Sequence, residues 1–137
     1  MVAANRFNAF IEYVNEKAID WDNDVFVLAL TNVAPVATNS VLADLTQIAY
    51  TNLSARTVTI SAAGQASGTY TATADQLVLT ASGAVATFRY VVLYDDTATG
   101  DPLVAWWDYG SAITMASPDT FTFGSAATFP VWTDTPV

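Results

Sequence analysis

A chain of 137 residues that is 53% hydrophobic, with no His, no Cys and 13 acids against four cations, can bury one real core and has no length for a second. Its formal charge of −9 repels phosphate backbones and anionic lipid, so nucleic acid and membrane surfaces are not expected as partners. Lacking the usual general base, thiolate nucleophile and soft metal ligands, the chain is not expected to be an enzyme and needs no cofactor or metal.

No basic stretch followed by an apolar one opens the chain. Its apolar runs last only a few residues, against about 20 for a bilayer span. The expectation is a soluble protein made in a cytoplasm. Surface scaling assigns a 14.6 kDa chain roughly 6,900 Å² of exposed surface. The 17 charged residues, 13 acids plus four cations, then cover that surface at about one per 400 Å². Sparse charge with a mean hydropathy of +0.34 is the profile of a subunit whose face a partner covers.

The first element reads as a helix over residues 5–17, within an N-terminal segment of residues 1–19. Phe7, Phe10, Ile11, Val14 and Ala18 fall at spacings of three, one, three and four, one stripe of a 3.6-residue period, with Asn5 as N-cap. So short a helix is marginal alone and must dock on a sheet or another subunit. Asp20-Trp21-Asp22-Asn23-Asp24 breaks the period as a turn,. Val25–Thr31 follows as a strand apolar enough for burial on both faces. Residues 32–39, with Pro35, form a loop. Ser40 then caps a short helix over 41–48 that turns Leu42, Leu45 and Ile48 inward,.

From Tyr50 onward the pattern is β. Arg56–Ile60 alternates, with Val58 and Ile60 on one side. A turn is expected over Gly64–Gly68, then strands at Thr69–Thr73 and Gln76–Thr80. Ala86–Tyr94 is dense in aromatic and β-branched residues, and Pro102–Tyr109 reads as its hairpin partner. Shorter strands around Ile113, Phe121–Phe123 and Phe129–Trp132 complete the chain,. Turn signals this frequent predict a single domain over 1–137: an antiparallel β-sandwich over residues 24–137 with the N-terminal helix packed against it.

Two acidic groups invite a chemical reading. Asp20, Asp22 and Asp24 have the spacing that opens an EF-hand loop, but Val25 holds the position that needs Gly and Thr31 the one that needs Glu,. Asp95, Asp96 and Asp101 crowd one hairpin loop. In both, the ordinary role of Asp is to hydrogen-bond its own turn, with an ad hoc Ca²⁺ site as the alternative. The plentiful Ser and Thr have no His to activate them, and Lys17 on an exposed helix face is a poor base. Arg89, between Phe88 and Tyr90, faces away from both: either that face is open to solvent, or Arg89 pairs with an acid such as Asp108 on the neighbouring strand, as a structural ion pair or an intersubunit contact. Trp106 and Trp107 must point to opposite faces of one strand, placing one in the core and leaving the other to anchor a protein, stack on a sugar or pack under a loop.

Asn8–Val14, Asp24–Pro35, Ser40–Asp44, Phe88–Asp95 and Asp101–Gly110, most of the chain in order, resemble a family of small, acidic, β-rich structural proteins of tailed bacteriophages. The resemblance implies a virion protein, a head decoration (cement) protein bound to the major capsid protein on the phage head surface. It carries no catalytic motif. A decoration protein must oligomerise, and quasi-threefold points on a shell imply a homotrimer. Phe7, Phe10, Val14, Trp106 and Trp107 are the candidate contact residues. The alternatives are a tail or fibre-associated protein that recognises a host surface glycan, and a small hydrolase working through carboxylates.

Overall fold

The computed structural model describes residues 1–135; positions 136 and 137, the end of the expected sandwich, lie outside them. Two antiparallel sheets pack face to face. One has five strands in the order β1 (Ala4–Arg6), β7 (Leu103–Met115), β6 (Val85–Asp95), β2 (Phe26–Thr31) and β3 (Thr57–Val58). The other has three, β4 (Ile60–Ala66), β5 (Thr69–Thr80) and β8 (Thr120–Asp134), with β5 central. The sandwich is therefore as expected, with one short helix, α1 (Phe10–Asn15), near the start.

Alternation along β2 builds both cores. Phe26, Leu28 and Leu30 point between the sheets, where they join Val91, Leu93, Trp107 and, from the facing sheet, Leu79 and Phe123. Val27 and Ala29 point the other way, onto Val92, Tyr94 and Leu103, and the chain covers this outer face with Phe7, Leu42 and Leu45. All six residues of β2 are consequently buried. Each large apolar side chain so enclosed contributes about 1.5–3 kcal/mol relative to exposure. The accessible surface, 6901 Å², is what size scaling gives, so the apolar side chains left outside are exposed by placement and not by loose packing.

Several expected elements are redrawn. The helix expected over 5–17 is reduced to Phe10–Asn15, because residues 4–6 pair with β7 (Ala4 opposite Trp107, Arg6 opposite Ala105). Asn5 is no N-cap: its side-chain amide donates to the Trp106 carbonyl at 3.4 Å, and Ala9 holds the cap position without a side-chain bond. The physical cause lies in Phe7 and Phe10. Phe7 is committed to the outer core and Phe10 to the inter-sheet core, and one continuous helix cannot reach both faces of a sheet. The helix expected over 41–48 is a single 3-10 turn, Leu42–Asp44. Its Asp44 carboxylate accepts the Ser40 and Val41 N–H groups at 2.8 and 3.2 Å.

Strands expected as separate pieces merge. Arg56–Ile60 instead divides between the sheets, Val58 pairing with Phe26 while Ile60 pairs with Ala74. The turn expected over Gly64–Gly68 shrinks to Ser67-Gly68, both at positive φ (52° and 80°), the two-residue loop whose twist suits a hairpin. Thr69–Thr80 is one strand, and so is Thr120–Asp134, which accommodates its extra residues as bulges against β5. At the larger bulge Gly124 adopts φ +127°, and a Cβ there would meet the Phe129 ring at 2.7 Å. Phe129 is itself buried and cannot give way. Gly124→Ala is therefore expected to destabilise by on the order of 2 kcal/mol, read from the urea midpoint.

Candidate functional site

A cavity of about 420 Å³ opens where α1 meets the three-stranded sheet. Its making starts at the helix end. Lys17 takes a left-handed conformation (φ 61°), and the Ala18 and Ile19 N–H groups return to the Tyr13 carbonyl at 2.8 and 3.2 Å. The chain therefore doubles back, burying Ile19 and Trp21 beside the helix. Trp21 stacks on Phe26 with ring centroids 4.6 Å apart, while Phe10 packs on Trp132 at 4.9 Å. Tyr70 and Trp132, on neighbouring strands β5 and β8, form the opposite wall.

At the rim stand Ile11 and Val14, 52% and 37% exposed, one helical turn apart in part. Arg6 and Lys17 line the same opening, so two of the chain's four cations gather on one side of a strongly acidic protein. Asp20 and Asp134 line the cavity as well. Burial pushes the Tyr70 hydroxyl above its ordinary range, and the charges of Asp22 and Asp20 add to the shift. The arrangement is an apolar, aromatic-walled groove with mixed charge at its edge, a surface suited to receiving side chains or a ring.

The expected contact residues separate. Phe10 and Val14 belong to this cavity. Phe7 is fully buried on the far face of the five-stranded sheet, against Trp106 with centroids 4.6 Å apart. Trp106 and Trp107 do point to opposite faces: Trp107 lies in the inter-sheet core edge-on to Phe123, while Trp106 is half-buried outside. The cavity walls Trp21, Tyr70 and Trp132 escaped the sequence reading. The signal for Trp21 was present, since a tryptophan inside an acidic turn is out of place unless it packs inward.

The acidic groups serve the backbone. Asp20 accepts the Asn23 side-chain amide at 2.7 Å and the Asp22 N–H at 3.0 Å, and these bonds hold its carboxyl below the usual carboxylate range. Among the described residues, no three acids converge on a point where a metal ion would sit. The structure instead joins one member of each acidic group. Asp95 is fully buried at the end of β6, and its Oδ1 accepts the Thr97 and Ala98 N–H groups at 2.8 and 3.1 Å. Burial, with the Asp24 carboxyl beside it, pushes its pKa up to about 7. Asp95 Oδ2 has no partner while both carboxyls are charged, because two acceptors can bond only through a shared proton. Neither Asp24 nor Asp95 lines the cavity.

Of the two outcomes expected for Arg89 the structure takes the ion pair with Asp108, in a two-pronged contact at 2.8 and 3.0 Å. Both side chains are more than a third exposed, so the pair stabilises little. Arg56 lies over the Tyr50 ring, 3.5 Å from its centroid, and its guanidinium donates to the Leu28 carbonyl. Tyr50 accepts the Leu30 N–H at 3.0 Å and donates to Gln47 at 2.6 Å. These bonds seal the open edge of β2. Comparison with family models, curated proteins and solved structures finds no match to this chain.

Proposed function

We propose that this chain is a non-enzymatic structural protein of a tailed-phage virion, a head decoration (cement) protein that docks on the shell formed by the major capsid protein. The observation that carries the docking part is the cavity rim. Exposed Ile11 and Val14 stand beside Trp132 and Tyr70, with Arg6 and Lys17 placed to meet acidic groups on a partner. Aromatic residues and arginine in a partly enclosed groove are the side chains that dominate contact energies. The virion part is supported by the resemblance that runs through Asn8–Val14, Asp24–Pro35 and Asp101–Gly110. Stabilisation of a shell then follows by mass action over many copies, without high affinity at any one of them.

A tail-borne glycan receptor is the second reading, favoured by one feature. Trp132 and Tyr70 sit beside the polar groups of Asn15 and Asp134, which offers ring faces and hydrogen bonds to a sugar. Copy number in purified particles, by quantitative mass spectrometry against the major capsid protein, separates the two. Near parity is expected. A handful of copies transfers the protein to the tail, where quenching of tryptophan fluorescence by sugars is the next test. Absence from particles rejects both.

A further inference from the structure

We infer that β4 is the contact through which two copies of this chain pair, edge to edge and antiparallel, around a two-fold axis. The inference stands apart from the virion reading and rests on how differently the sheet edges are treated. An open edge presents a row of unpaired N–H and C=O groups, and proteins ordinarily blunt it with a covering loop, charge, proline or bulges. Here the β2 edge beyond β3 is closed by Tyr50, Arg56 and the Ile48 N–H, which donates to the Leu30 carbonyl at 3.0 Å. Strand β8 is broken by two bulges and carries Pro130 and Asp134. Strand β1 is only three residues long and includes Arg6.

Strand β4 has none of these along its length after one irregularity at its start, between Ile60 and Ala62. Its sequence, Ile-Ser-Ala-Ala-Gly-Gln-Ala, has no charge and no proline, and five of its seven residues are exposed. Among the described residues, nothing bonds to its outer edge. Small side chains leave a shallow depression of about 380 Å³ over the face it shares with β5, lined by Ala62, Gly64, Ala66 and Thr71.

The vacant backbone groups specify an extended strand as the occupant, and electrostatics selects a second copy. At a formal charge of −9 two copies of this protein repel one another overall, and an uncharged strand is where they can meet without setting like charges opposite each other across a two-fold axis. An antiparallel pair of identical strands is self-complementary, so each β4 meets its own mate and the two three-stranded sheets continue into one.

Sedimentation equilibrium over micromolar to millimolar concentrations tests this, with the double variant Ala62→Glu/Gly64→Glu as the probe. An added Cβ at Gly64 meets nothing within 4 Å and Ala62 is exposed, so the variant should fold, as its thermal melt will report. The wild-type chain is expected at twice 14.6 kDa, with dimer affinity at least about tenfold weaker in the variant, since like charges face each other across the axis. Gln65→Glu serves as the probe should the double variant fail to fold. A wild type monomeric throughout overturns the inference, as does a dimer or trimer that the charges leave intact.

Discussion

Replacing Phe10 with alanine is expected to destabilise the protein by about 3–5 kcal/mol, while the same change at its neighbour Ile11 should leave stability within about 0.5 kcal/mol. What separates the two is chiefly which side of the helix they occupy. Phe10 is 3% exposed and sits in the inter-sheet core, against Trp132 and within 6.1 Å of Trp21. Its loss leaves a void beside Trp21, which its stacking on Phe26 holds in place. Ile11 is 52% exposed and surrenders little on truncation. A domain of this size holds about 5–15 kcal/mol in total, so Phe10→Ala brings the chain close to its limit, which urea unfolding will show.

The contrast also isolates docking. Ile11→Asp with Val14→Asp should unfold at the wild-type urea concentration yet occupy purified shells at least about tenfold less, because charge is placed where an apolar contact must desolvate. Full occupancy by that variant would remove the cavity rim as the docking face. Phe10→Asp cannot make the distinction, since it breaks the core first.

Asp95→Asn is expected to stabilise the protein above neutral pH, by on the order of 2 kcal/mol, and to have little effect near pH 4. In the folded chain Asp95 keeps its proton up to about pH 7, because it is buried and faces Asp24. In the unfolded chain it releases that proton near an ordinary value of about 3.9. Between those limits the folded state binds more protons, so stability falls as pH rises from about 4 to about 7 and then levels. The full linkage is about 4 kcal/mol, reduced here because Asp24 at the rim of the pair still reaches water,. An amide keeps the acceptor for Thr97 and Ala98 and donates to Asp24 where the shared proton stood. Asp20, Asp44 and Asp108, all held below the usual range by hydrogen bonds, act with the opposite sign: their contribution is lost as pH falls below about 4. Thermal melts of wild type and variant from pH 4 to 9 should converge at the acid end. Parallel curves would show that the carboxyls share no proton.

The amino-acid pattern by itself determined the β class, the burial on both faces of the strand expected at Val25–Thr31 (all but Val25, which is 47% exposed), the pairing of Ala86–Tyr94 with Pro102–Tyr109 and the opposed indoles of Trp106 and Trp107, and it narrowed Arg89 to solvent or an acid such as Asp108. Each follows from a period of two along a strand or from a register of nearest neighbours, and such relations are local. Only the tertiary structure decided the rest. Phe7, Phe10 and Val14 keep helical spacing in the sequence whether or not one helix carries them, and the choice fell to β7, which took Ala4–Arg6 as an edge strand. Thr57–Val58 and Ile60–Ala66 part company because each meets a different sheet. The cavity gathers Arg6, Trp21, Tyr70 and Trp132 from four distant stretches, and Asp24 meets Asp95 across a comparable gap in the chain. Periodicity states which way a side chain points; what it meets there depends on long-range pairing and on which face each loop covers, and no local window contains that information.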